Sequence, residues 1–208
     1  MNQFFNQKRF ALLVLKHWAD NKKRYILSLL AYVGLLITWF LFGLIIEGIP
    51  NKNGLPDEIQ YTTLYFSLFA IGTFYASQYF SDLGSRERGS HYLLVPASAF
   101  EKFLCSLFFT VILLPLLITA AFYMVDVLMV TISNSLLANS TEGKSTVVNV
   151  FGLDFIRFNS DQAIKLFLFF FSIESLFLLG SVYFRKYNFI KTIITGFVIF
   201  FLCFLFVY

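Results

Sequence analysis

The chain predicts an all-α fold, a polytopic membrane helical bundle, and three observations carry that reading. Hydrophobic residues fill 58% of its 208 positions, 29 of them Phe, while charged residues make up only 13%, about half the share usual in soluble domains. The apolar residues fall in unbroken runs, not in the alternation that a barrel requires. The basic residues cluster beside those runs, so the net charge of +4 suits membrane orientation better than nucleic-acid binding. Both cysteines, Cys105 and Cys203, fall inside predicted spans, which argues against a disulfide framework.

Residues 1–21 carry Lys8, Arg9 and Lys16 among Phe4, Phe5 and Phe10. On a helical wheel Phe4, Ala11, Leu15 and Trp18 share one face, with Arg9, Lys16 and Asp20 opposite and Leu12 and Leu13 interrupting the polar side. This predicts an N-terminal amphipathic helix lying in the membrane interface. A signal peptide is excluded by the short apolar core, Phe10 to Leu15, and by the lack of a small-residue cleavage site in the longer run that follows. His17 reads as an interfacial side chain, with no second ligand-type residue spaced to join it around a metal. Residues 22–208 then form the transmembrane domain.

Five spans are visible in that domain. The first follows Lys22, Lys23 and Arg24 and runs from Tyr25 to Ile46, long enough to cross at roughly 1.5 Å per residue. Gly48, Pro50 and Gly54 break it. Pro56, Asp57 and Glu58 start the second span, with acids at the positive end of the helix dipole, and it continues to about Phe80. The third runs from about Phe103 to Val130, with Pro115 near its middle. That proline removes a backbone hydrogen bond and kinks the helix, by preference as a tolerated bundle kink, with a working hinge as the alternative. Asp126 reads as lying near the far interface. A fourth span covers about Ala163 to Tyr183, and a fifth Ile190 to Tyr208.

Glu174 lies near the centre of the fourth span. A carboxylate at that depth marks a functional position by default; the alternative is a protonated glutamate bonded to a neighbouring helix through Ser172 or Ser175. The loop 133–161, extracytoplasmic in this reading, contains Ala138 to Ser145, which fits a relaxed P-loop pattern. A P-loop needs a strand, a helix and a nucleotide-binding domain around it, and an inter-span loop has no room for them. No H-E-x-x-H or G-x-S-x-G motif supports an intramembrane enzyme.

The loop 81–102, SDLGSRERGSHYLLVPASAFEK, is the most charged short stretch after the N-terminus. Gly84, Ser85, Gly89 and Ser90 punctuate it, Arg86, Glu87 and Arg88 form a mixed charge cluster, and Tyr92 to Val95 has room for one or two helical turns before Pro96. Ser98 and Glu101 have capping-box spacing, so the next helix should begin near Ala99. The order Glu87-Arg88-Gly89-Ser90, Leu93-Leu94, Pro96, Ser98 and Glu101-Lys102 resembles the first cytoplasmic loop of ABC-2-type permeases, the membrane subunits of many ABC exporters. That resemblance covers about 22 residues. It implies a coupling helix docking on a separate ABC ATPase subunit, with Arg86, Glu87 and Arg88 as charged contacts, Tyr92, Leu93 and Leu94 as the apolar anchor, and Gly89 and Pro96 shaping the loop. It further implies a second permease subunit as homo- or heterodimer partner, a hydrophobic or amphipathic cargo, and ATP and Mg in the partner with no cofactor or metal in this chain. The family usually has six spans; the stop at Phe206-Val207-Tyr208 makes truncation the preferred explanation of five.

With the N-terminus inside, twelve Lys and Arg fall on the inner side and four on the outer, satisfying the positive-inside rule and making loop 81–102 cytoplasmic. High Phe, Ile and Asn usage points to an AT-rich bacterial genome and so to a bacterial cytoplasmic (inner) membrane. The second functional reading is a non-transporting subunit or scaffold of a larger membrane complex.

Overall fold

A computed structural model describes residues 5–48, 55–84, 86–136, 146 and 160–207. The described residues are helical, without a strand. Helix α1 spans Gln7–Gly43 and widens into a π-helical turn, Leu44–Gly48. Helix α2, Asp57–Tyr79, is followed by a 3-10 turn, Ser81–Gly84, and by the short α3, Arg86–Leu94. Helices α4, Ala99–Leu107, and α5, Leu114–Leu136, flank a π-helical turn, Phe108–Leu113, within one continuous rod. Helices α6, Ser160–Tyr183, and α7, Asn188–Val207, complete the fold.

Among the described residues, four helices are long and apolar enough to cross a membrane: Gln7–Ile46, Ala99–Leu136, Lys165–Tyr183 and Asn188–Phe206. The expected second span forms as α2 but is not among them. At 23 residues its length suffices; its composition is what differs. It carries Thr63, Ser67, Thr73 and Ser77, and each hydroxyl donates to a carbonyl of its own helix, at Ile59, Leu64, Phe69 and Phe74 respectively. That satisfies the polar groups without a partner helix. A second difference lies in α1, which runs unbroken through Lys22, Lys23 and Arg24, so no backbone boundary separates an N-terminal helix from the first span. Lys and Arg are good helix formers, and neither Gly nor Pro interrupts residues 7–33.

The chain divides into two compact units. The first combines Met1–His17, Phe69–Leu114 and Ile164–Tyr208; the second combines Trp18–Leu68 and Pro115–Ala163. In the second, α1 buries Tyr32, Leu36, Phe40 and Gly43 at helical spacing. The Tyr32 hydroxyl donates to Ser67 Oγ at 2.9 Å, Trp39 Nε1 donates to Thr63 Oγ1 at 2.9 Å, and the Phe40 and Phe122 rings meet edge to face at 5.8 Å. Asp126 is wholly buried there. Buried apolar side chains on both sides, Val125, Met129 and Val130, explain why it faces inward.

In the first unit, His17 stacks on Tyr79 at 4.8 Å and meets Phe109 at 4.3 Å. Ala11, Leu15 and Trp18, the expected apolar face of the N-terminal segment, are exposed, while Arg9 turns inward. Helices α6 and α7 close on each other where Gly180 meets Thr192, and Phe177 and Phe189 pack at 5.4 Å.

Candidate docking loop and buried carboxylate

The loop 81–102 folds as a braced helical corner. Phe80 is buried, and Leu83 N–H bonds back to the Phe80 carbonyl at 3.0 Å, closing the 3-10 turn. Gly84 follows, and a Cβ there would stand 2.7 Å from the Arg185 carbonyl oxygen; only a glycine lets the loop lie on the backbone of the α6–α7 turn. Gly89 is buried in α3, against the Leu83 main chain. The backbones of Arg86, Glu87 and Arg88 form the first turn of α3; their side chains lie outside the described residues.

Helix α3 ends at Leu94, two residues before Pro96, as a proline dictates for the residues ahead of it. Its two sides differ. The Tyr92 ring packs inward, edge-on to Phe80 at 6.1 Å, and burial, with a smaller contribution from Cys105, pushes its phenol up to about 12, so it stays neutral at ordinary pH. Lys102 Nζ stands 5.0 Å from the centre of that ring and donates to the Tyr92 carbonyl at 3.0 Å. It thereby satisfies a C-terminal carbonyl of α3 and sits at the negative end of its dipole. Leu93 and Leu94 point outward, 70% and 78% exposed, and Pro96 is exposed beside them.

The capping box forms as its spacing predicts. Glu101 N–H donates to Ser98 Oγ at 3.1 Å, Ser98 N–H donates to Glu101 Oε2 at 2.9 Å, and α4 begins at Ala99. What the spacing does not reveal is the second use of that carboxylate. Its Oε1 accepts from Asn6 N–H at 2.7 Å and from Arg9 at 3.0 Å, and Glu101 is wholly buried. One carboxylate thus joins the exit of the loop to the start of α1. A buried carboxylate with this many donors is compensated in the way that makes burial tolerable.

Glu174 is 1% exposed, and neither of its oxygens has a hydrogen-bond partner among the described residues. The expected links through Ser172 and Ser175 are absent, because those hydroxyls donate to Leu168 and Ser172 carbonyls of their own helix. Instead the carboxyl lies against Gly72 of α2, so closely that a Cβ there would collide with Oε1. Gly72 was not singled out in the sequence; the signal that marks it is the small-xxx-small pair Gly72 and Ala76, which lets helices approach closely.

Pro115 falls in the first turn of α5, directly after the π turn. Leu114 N–H bonds to the Phe109 carbonyl five residues back, and the division between the two units falls at Leu114 and Pro115. The wider turn accommodates the N–H that proline lacks. The P-loop-like Ala138 to Ser145 lies outside the described residues. No cluster of three metal-ligating side chains occurs among the described residues. Comparison with protein-family profiles, with curated proteins and with solved structures gives no match.

Proposed function

We propose that this chain is the membrane subunit of an ATP-driven exporter of the ABC-2 type, in which a separate ATPase docks on α3 and drives movement of a hydrophobic or amphipathic cargo. The observation that carries this reading is the two-sided build of α3. Leu93 and Leu94 are offered outward, while Tyr92, Lys102 and Gly84 brace the back of the helix. An exposed apolar pair on a braced corner suits docking better than a slack connector does. Force applied to α3 has a path through Lys102 and Glu101 into α4 and, through Arg9 and Asn6, into α1. The chain hydrolyses no ATP in this scheme, works as a dimer of permeases, and lies in a bacterial inner membrane with its N-terminus and the loop cytoplasmic.

The test is affinity purification of the tagged protein in mild detergent beside Leu94→Asp and Glu87→Ala. An ATPase recovered with the wild type, and reduced at least about tenfold by Leu94→Asp, is expected, since a charge forced into an apolar contact costs more than 1.4 kcal/mol. Recovery of other membrane proteins without an ATPase would refute the exporter and favour a non-transporting subunit.

A further inference from the structure

We infer that Glu174, closed against Gly72, is an intramembrane proton-binding site, loaded while α2 and α6 are packed together and discharged to water when that pair opens. The site stands whether or not the chain is an exporter subunit.

Three observations support it. The side chain is 1% exposed, yet among the described residues both oxygens lack a partner; an ionised carboxylate without donors is very costly in such surroundings, whereas the acid is tolerated. The walls are apolar. Gly72 abuts Oε1, Phe170 stands beside Gly72, and Phe69 meets the Phe170 ring at 5.4 Å. Finally, among the described residues no ion pair reaches it. On α6 the nearest cation in the chain is Lys165, which is exposed; on α7 the single cation, Lys191, sits in the first turn over the Phe184 ring at 5.8 Å; on α2 the acids Asp57 and Glu58 are confined to the first turn, and Tyr75 is the nearest titratable residue along the helix.

These features select the proton among cations. A metal ion such as Ca2+ takes about six or more oxygen ligands, and here one carboxyl stands alone among the described residues. A proton needs only that carboxyl. Loading forms an O–H bond with a proton from water; discharge breaks it, returning the proton to water that enters between α2 and α6. Gly72 fits as the closing surface, since any larger residue would displace the carboxyl.

The experiment is infrared spectroscopy of the protein in lipid vesicles, titrated with base and exchanged into deuterium oxide. At neutral pH a carboxylic-acid band free of hydrogen bonding is expected. It should vanish in Glu174→Gln, persist in Asp126→Asn, shift on deuteration, and disappear on titration with base while the protein stays folded. Carbon-13 labelling of glutamate carboxyls in the wild type should shift the same band, which assigns it even if Glu174→Gln does not fold. Absence of a glutamate acid band at neutral pH would overturn the proposal, as would a band that neither exchanges nor titrates while the protein stays folded, since that proton would be sealed and purely structural.

Discussion

The Glu101 carboxylate shows how one buried side chain can fix two parts of a chain at once. It closes the capping box of α4 and accepts from Asn6 and Arg9. Removing it leaves a part-exposed guanidinium and two backbone N–H groups without their acceptor, a loss of about 1 to 3 kcal/mol. Glu101→Ala should therefore lower the temperature at which the detergent-solubilised protein loses its monodisperse peak. Glu101→Gln should fall between it and the wild type, because glutamine still completes a capping box but offers Arg9 no charge. Equal stability of the alanine variant and the wild type would contradict this role. The box itself was legible in the sequence, being a contact over three residues. Arg9 was not, since its contact spans 92 residues and leaves no local pattern.

Among the elements, α6 and α7 depend most on a single close approach. A Cβ on Gly180 would collide with Thr192 Oγ1 and stand 2.8 Å from Cγ2 and 2.9 Å from Cβ. Overpacking of this kind costs about 1 to 3 kcal/mol, offset by the roughly 1 kcal/mol that alanine gains over glycine in a helix. Gly180→Ala should thus destabilise by about 1 kcal/mol in a reversible denaturant titration. Adding Thr192→Ala should restore only part, because the Thr192 Cβ remains in the way. A stabilised Gly180→Ala would mean that the pair is more loosely packed. The helices themselves were readable from apolar runs. Their continuity was not: the charges at Lys22 to Arg24 look like a boundary, yet they sit inside α1. The π turn ahead of Pro115 was equally hidden, because proline announces a missing hydrogen bond but not how the backbone accommodates it.

For the molecule as a whole, the loop 81–102 and the α6–α7 turn must face the same aqueous compartment, since Gly84 lies on the Arg185 backbone. In a Cys203→Ser background, His91→Cys and Lys186→Cys should react with a membrane-impermeant maleimide from the same side of sealed vesicles. Labelling from opposite sides would break that arrangement. The positive-inside count is an expectation about which side that is; the sequence alone could not show that these two stretches touch. The π turn at Phe108–Leu113 has a further consequence, for the chain's tolerance of length changes. Each residue added to or taken from an α-helix rotates everything beyond it by roughly 100°, and a π turn contains about one residue more than an α turn. The rod Ala99–Leu136 therefore holds an inserted residue as phase, keeping Glu101 and Cys105 buried before it and Phe122 and Asp126 buried after it. A single deletion inside the turn would let it relax to an ordinary α turn, whereas the same deletion in a regular stretch of the rod would rotate all that follows it.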